Sequence, residues 1–181
     1  METPGNGKKH PKRSKQLRNS MSQAKLSKRI VDVSNITWED VFDKLETDRQ
    51  QKDFTVIAPK IKPEEILNES RTLVLHRGGM NTMISEGKYI PWSMRPLAEH
   101  MKLNYGMREF HQYVSLSGGS STFGRHNDTV DVMIVPIIGD IGYGVDGLGE
   151  VFMEPGDALF IPKYLHHEPL VLGPRATLSF S

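Results

Sequence analysis

The sequence predicts a mainly β domain, a sandwich or barrel, with helices on its N-terminal side. Three observations carry this. From residue 108 onward, short runs rich in β-branched and apolar residues alternate with Gly-containing turns. Between residues 37 and 107, apolar residues recur at helical spacing in two places. The chain has 181 residues, 37% of them hydrophobic, enough for one domain with a sizeable core and a modest extension. There is no internal repeat.

In chain order, residues 1–29 come first. They contain nine Lys/Arg and one acid, Glu2, so they carry net +8 in a chain of net +1, leaving −7 for residues 30–181. A segment with so few apolar residues cannot offset the entropy of ordering, which predicts a disordered basic arm over 1–29. Such an arm suits nucleic acid or another acidic partner, or serves as a solubilising tail. Residues 30–107 form the helical and short-strand N-terminal part. Thr37 is placed to cap a helix over about 38–50, in which Trp38, Val41, Phe42 and Leu45 share a face. "KPEEILNES" predicts a short helix begun by Pro63, and "RTLVLH" and "GKYIPW" predict strands. "SMRPLAEHMKL" predicts a helix with Pro96 in its first turn. Residues 108–181 supply the β core: "REFHQYVSLS", "HNDTVDVMIVPII", "GDIGYGV", "EVFM", "ALFIP", "LVL" and "RATLSFS". The turn "EPGD" joins two of them, with Pro155 fixing φ and Gly156 free to take φ > 0.

The absence of cysteine excludes disulfides, thiolate nucleophiles and sulfur-ligated metals, so a metal site must use His and carboxylates. No apolar run approaches the ~18 residues that span a bilayer, and no secretory h-region is present. The expected compartment is the cytoplasm, with no membrane partner.

"GRHNDTVDVMIV" places His126 and Asp128 at the start of an expected strand. If residues 126–134 are extended, His126, Asp128, Val130, Val132 and Ile134 share one face. That face is polar at its mouth and apolar beyond. Asn127, Thr129 and Asp131 face the other way. "IPKYLHHEP" supplies His166 and His167 as sources of a third ligand. Two His and one carboxylate leave open positions on an octahedral ion, the arrangement of non-haem Fe(II) oxygenases. Three ligands also suit a catalytic Zn²⁺.

"EPGDALFIPKYLHHEP" resembles the second cupin motif, in which a metal histidine follows the strand-ending Pro by five residues. His167 has that spacing from Pro162, and His166 does not. "HND" resembles the His-x-Asp of JmjC-type cupin oxygenases, Gly139 falls where that family places a glycine, and "RATLSFS" is similar to its last barrel strand. The nearest resemblance is to small cupin-like 2-oxoglutarate oxygenases, including bacterial ribosomal-protein hydroxylases, over about residues 108–181. It implies a double-stranded β-helix (a cupin or jelly-roll barrel) with the N-terminal helices packed outside. It also implies metal ligation by His126, Asp128 and His167. Fe(II) and 2-oxoglutarate would hydroxylate a C–H bond of a protein or small-molecule substrate, releasing succinate.

This sequence departs from the pattern at Ile141, where related oxygenases often place the Lys or Arg that holds the far carboxylate of 2-oxoglutarate. The substitute is Arg175. Arg175, Thr177, Ser179 and Ser181 share one face of the last strand, and if that face lines the barrel, Arg175 with Thr177 or Ser179 can clamp a carboxylate. Tyr143 and Lys163 are further candidates. On the strand before the hairpin, His111, Tyr113, Ser115 and Ser117 share a face that either lines the pocket or, the favoured reading, holds a packed Tyr with a satisfied His. His76 and His100 have no assigned partners. Two other readings stand beside the oxygenase: a cupin enzyme using another divalent metal or no 2-oxoglutarate, and a non-catalytic cupin serving as a structural or interaction subunit through its basic arm.

Overall fold

The computed structural model describes residues 23–57 and 81–181. The strand expected at "RTLVLH", the helix at "KPEEILNES" and His76 lie outside them, as do residues 1–22 of the basic arm. Along the chain come β1 (Lys25–Ser27), α1 (Trp38–Gln51), β2 (Phe54–Ile57), β3 (Thr82–Ser85) and α2 (Arg95–Tyr105). β4 (Phe110–Ser115), β5 (Val132–Ile138), β6 (Ile141–Val145) and β7 (Gly149–Met153) follow, then β8 (Ala158–Ile161), β9 (His167–Val171) and β10 (Arg175–Phe180). A large antiparallel sheet has the order β1-β8-β5-β10-β4-β3-β2, and a small one the order β7-β6-β9. The non-sequential neighbours β8, β5, β10 and β4 are those of a jelly roll, the expected architecture.

Alternation along the strands of the large sheet separates two cores. Ala176, Leu178 and Phe180 of β10 join Met133, Val135 and Ile137 of β5, Val114 of β4 and Phe160 of β8 on one face. The helices cover that face with Val41, Leu45, Leu97 and Met101. The other face turns Val132, Ile134, Leu159 and Ile161 toward Ile141, Tyr143, Val145 and Met153 of the small sheet and its turns. Period-2 geometry then forces Arg175, Thr177 and Ser179 inward, between the sheets.

α1 begins as expected. The Thr37 side chain accepts from the Asp40 N–H, and the Asp40 carboxylate accepts from the Thr37 N–H at 2.8 Å, a reciprocal capping box. α2 has Pro at its start and ends at Gly106, φ 77°.

Four expectations need correction. The basic arm does not extend to residue 29: Lys25–Ser27 pairs with β8, and Lys28 and Arg29 bind Asp157, whose carboxylate accepts from Lys28 Nζ at 2.7 Å and the Arg29 N–H at 2.9 Å. Ala24 and Leu26 pack on the inner core, which supplies the apolar contact that the composition of 1–29 as a whole conceals. "GKYIPW" is not a strand. Lys44 Nζ, fully buried, takes the carbonyls of Gly87 and Tyr89 at 2.9 Å each while paired with buried Asp48 at 2.8 Å, so a side chain of α1 organises this loop. The strand expected from residue 126 begins at Val132. The β core also reaches beyond 108–181, since β1, β2 and β3 belong to the large sheet.

Candidate metal centre

Residues 126–131 form no strand: the chain bends at Thr129 and Val130, and among the described residues His126 alone bridges to the sheets. His126 N–H donates to the His167 carbonyl at 3.0 Å, and His167 N–H donates to the His126 carbonyl at 2.8 Å. A second bond, Tyr164 N–H to the Asp128 carbonyl at 2.7 Å, holds the two loops in the same register. The side-chain alternation expected of a strand therefore survives without a strand. His126 and Asp128 point inward, and Asn127, outward, bonds His166 Nε2 at 3.1 Å.

The two ring centroids of His126 and His167 lie 4.4 Å apart. Nδ1 of His126 faces the Gly124 carbonyl at 2.9 Å, and Nδ1 of His167 faces that of Leu165 at 3.1 Å. A carbonyl only accepts, so each Nδ1 carries the proton and each Nε2 keeps its lone pair, the tautomer a metal ligand needs. His167 Nε2 lies 3.5 Å from Asp128 Oδ2. One ligand atom from each of His126, Asp128 and His167 falls within 4.8 Å of the others, close enough to hold one ion. Burial pushes the His167 pKa down, with His126 adding to this and the Leu165 carbonyl and Asp128 opposing it, so the neutral ligand form is favoured. His166 takes no part.

The triad opens into a cavity of about 500 Å³ between the sheets. Arg175, Tyr143, Ser179 and Ser181 line it together with His111 and Tyr113. His111 and Tyr113 thus belong to the cavity wall, the less favoured of the two readings of that face. Ser115 instead bonds Thr82 across the sheet at 2.9 Å. Thr177, 1% exposed, is not among the lining residues, and its Oγ1 has no hydrogen-bond partner among the described residues. Lys163 sits outside, exposed, with Nζ 5.6 Å from the Tyr164 ring centre. His100 lies on α2, beside Asn104 and Tyr105. Ile141 is buried in the inner core and does not line the cavity.

Arg175 is the unusual group. It is 2% exposed, yet no carboxylate pairs with it among the described residues. Nη1 donates to the Tyr113 carbonyl at a long 3.4 Å, and Nε has no partner among the described residues. Burial pushes its pKa down and the Tyr143 and Tyr113 hydroxyls oppose that, but a guanidinium stays charged in a protein. Burial likewise pushes both tyrosine pKa values up, so both remain protonated donors. Gly139 fixes where β10 starts: at φ 70° its Cα faces the Pro174 carbonyl, and a Cβ there would lie 2.2 Å from that oxygen.

Phe123 is a lining residue that sequence reasoning missed. It is 55% exposed and stands edge-on to His126. Val130, expected on the face of His126 and Asp128, follows the bend at Thr129 and sits exposed on the lip of the cavity.

No family model matches the chain, and no curated protein matches it. Among solved structures, the chain is similar to the ribosomal oxygenase YcfD from Escherichia coli. Against YcfD with cobalt and succinic acid, the TM-score is 0.70 at 16% identity, over 94% of this chain and 51% of that one. Against YcfD with cobalt and 2-oxoglutarate it is 0.66 at 15% identity, over 94% and 52%. A further YcfD crystal structure gives 0.67 at 16% identity, over 96% and 52%. The chain spans about half the length of these structures, and the likeness establishes the fold.

Proposed function

We propose that the chain is a non-haem Fe(II) oxygenase that uses 2-oxoglutarate to hydroxylate a protein or small-molecule substrate. The observation that carries this reading is Arg175: a buried cation without a carboxylate partner among the described residues, in the same cavity as a His-Asp-His triad. A buried unpaired charge is costly. An anionic co-substrate that reaches from the triad toward β10 offsets that cost.

The donor set fits the group. Two neutral imidazoles and one carboxylate suit Fe(II) and leave positions open for a chelating 2-oxo acid and O₂. His126, Asp128 and His167 would hold the metal, which when bound supplies oxygen activation coupled to decarboxylation of the co-substrate. Arg175 binds the far carboxylate, with the Ser179 and Tyr143 hydroxyls as added donors on the same wall. Thr177 Oγ1, buried and unpartnered, lies on the same face of β10. The inner core of Val132, Ile134 and Leu159 keeps the floor dry, which strengthens each of these electrostatic contacts. The YcfD structures with cobalt and either 2-oxoglutarate or succinic acid support this assignment by likeness of fold.

The test is an anaerobic titration of 2-oxoglutarate into the Fe(II)-loaded chain, following the weak metal-to-ligand charge-transfer absorption of the chelate. A saturable band supports the reading. Its absence in protein that binds one equivalent of Fe(II) transfers the site to a cupin enzyme of another kind.

A further inference from the structure

The ladder between β5 and β8 is interrupted at the metal centre. Val132 pairs with Ile161 at the end of that ladder, and His126 pairs with His167 beyond it. Residues 127–131 on one side and 162–166 on the other lie between these pairs, so the register is the same before and after the gap. Inside the gap the chain bends at Thr129 and Val130. Two consecutive amides of the opposite loop are taken up in place of ladder bonds. Tyr164 N–H donates to the Asp128 carbonyl at 2.7 Å, and Lys163 N–H donates to Asp131 Oδ1 at 2.9 Å. A side-chain carboxylate therefore stands where a ladder would use a backbone carbonyl.

The loop that receives this carboxylate is strained. Residues Pro162 to Leu165 form a turn, closed by Leu165 N–H donating to the Pro162 carbonyl at 3.2 Å. Tyr164 takes its third position at φ 66°, a conformation that favours glycine. The tyrosine ring is not packed in return, since it is 62% exposed. The conformation aims the Lys163 and Tyr164 amides together at the segment that carries His126 and Asp128. The same turn sets the interval from Pro162 to His167, and so the place where His167 Nε2 meets Asp128 Oδ2 at 3.5 Å.

We infer that Asp131 is a positioning residue of the metal centre: its carboxylate clasps the strained Pro162–Leu165 turn to the other ligand loop, so that the three ligand atoms converge before a metal arrives. Asp131 is not one of the converging groups, which are His126, Asp128 and His167. It acts on them through the Lys163 amide and the turn, as groups outside the ligand set orient the ligands themselves. Its effect on metal affinity rests on the metal reading of the triad. The clasp does not, so the test begins with the metal-free chain.

Amide hydrogen exchange of the full, metal-free chain reads the clasp directly. Asp131→Ala should speed exchange of the Lys163 and Tyr164 amides, while Asp131→Asn, which keeps an acceptor oxygen, should protect them as wild type does. Calorimetric titration with Co(II) then reads the consequence. Asp131→Ala should weaken binding by about three- to tenfold, and Asp131→Asn should restore it. The visible ligand-field spectrum of bound Co(II) should change in the alanine variant only, a signature that a general loss of stability does not produce. Tyr164→Gly takes up the turn without strain, so in the Asp131→Ala background it should recover part of the lost affinity. A folded Asp131→Ala variant with wild-type amide protection, or with wild-type Co(II) affinity and spectrum, would overturn the inference. A wild-type chain that binds no Co(II) would overturn the metal reading of the triad and the positioning role with it. A failed 2-oxoglutarate titration would strike the co-substrate alone, since none of these measurements contains it.

Discussion

His126 and His167 exchange both backbone hydrogen bonds while their Nδ1 atoms each face the carbonyl two residues earlier. The bridge sets the spacing of the two rings, and the Gly124 and Leu165 carbonyls set their tautomers and leave both Nε2 lone pairs free. His166, next in sequence, is turned outward by the same alternation and bonds Asn127.

Ligand identity follows from that geometry. His126→Ala, Asp128→Ala and His167→Ala should each abolish stoichiometric Fe(II) binding measured by metal analysis after anaerobic loading, while His166→Ala keeps it. The metal-induced rise in Tm should vanish in the first three variants only. A His166→Ala variant that loses the metal would place the ligand loop in the wrong register.

Arg175→Met separates two effects. Hydrogen bonds to a charged group contribute about 1.5–3 kcal/mol, so 2-oxoglutarate binding should weaken roughly ten- to a hundredfold. Fe(II) affinity should stay as in wild type. Without co-substrate, the variant should melt higher than wild type, because it removes a buried unpaired charge. Calorimetry in the presence and absence of 2-oxoglutarate checks both signs.

Gly139→Ala tests how β10 is placed. The φ of 70° alone costs a non-glycine residue roughly 1–2 kcal/mol. The new Cβ also meets the Pro174 carbonyl, and relief of that contact must move the chain next to Arg175. Stability should fall, and 2-oxoglutarate affinity should fall with it, while Fe(II) binding is retained.

Asp157 gives the fold an acid-sensitive joint. Burial raises its pKa, but bonds from Lys28 and from the Glu154 and Arg29 N–H groups outweigh that and hold it below the usual carboxylate range. Its contribution is fully present above the unfolded pKa of about 3.9 and is lost as pH falls through the lower folded value. Wild type should therefore lose more stability than Asp157→Asn on acidification below about pH 4. Urea melts across pH 2–7 measure the difference.

Lys44→Met should cost about 3–5 kcal/mol, since it leaves Asp48 charged and buried without its cation. The double variant Lys44→Met/Asp48→Leu should be more stable than the single one, measured by the same melts.

The triad was legible in the sequence because its spacing is dictated locally: a His-x-Asp keeps both side chains on one side of any extended segment, and the Pro162-to-His167 interval is fixed by one turn. The start of β5 was not. The sequence of residues 126–131 reads like a strand, but the chain bends at Thr129 and Val130 and only His126 bridges to His167; a period-2 pattern does not reveal whether a ladder accompanies it. The loop at Gly87–Trp92 escaped for a related reason. Its β-like residues are held by Lys44, whose bonds come from a helix far earlier in the chain, and no local pattern encodes them. The inward direction of Arg175 is decided by the helices, since they cover the Ala176, Leu178 and Phe180 face and leave the polar row on the side of the small sheet.

β1 has three residues, yet it closes the side of β8, whose sequence Ala158-Leu159-Phe160-Ile161 is wholly apolar and buried. An uncovered strand of that composition is a template for pairing with other chains. Lys25, exposed on the outer strand, is the kind of charge that discourages such pairing. Proteolysis between Ser27 and Lys28 would detach this cover. The first consequence would be self-association of otherwise intact barrels through their bared β8 edges, ahead of any global unfolding.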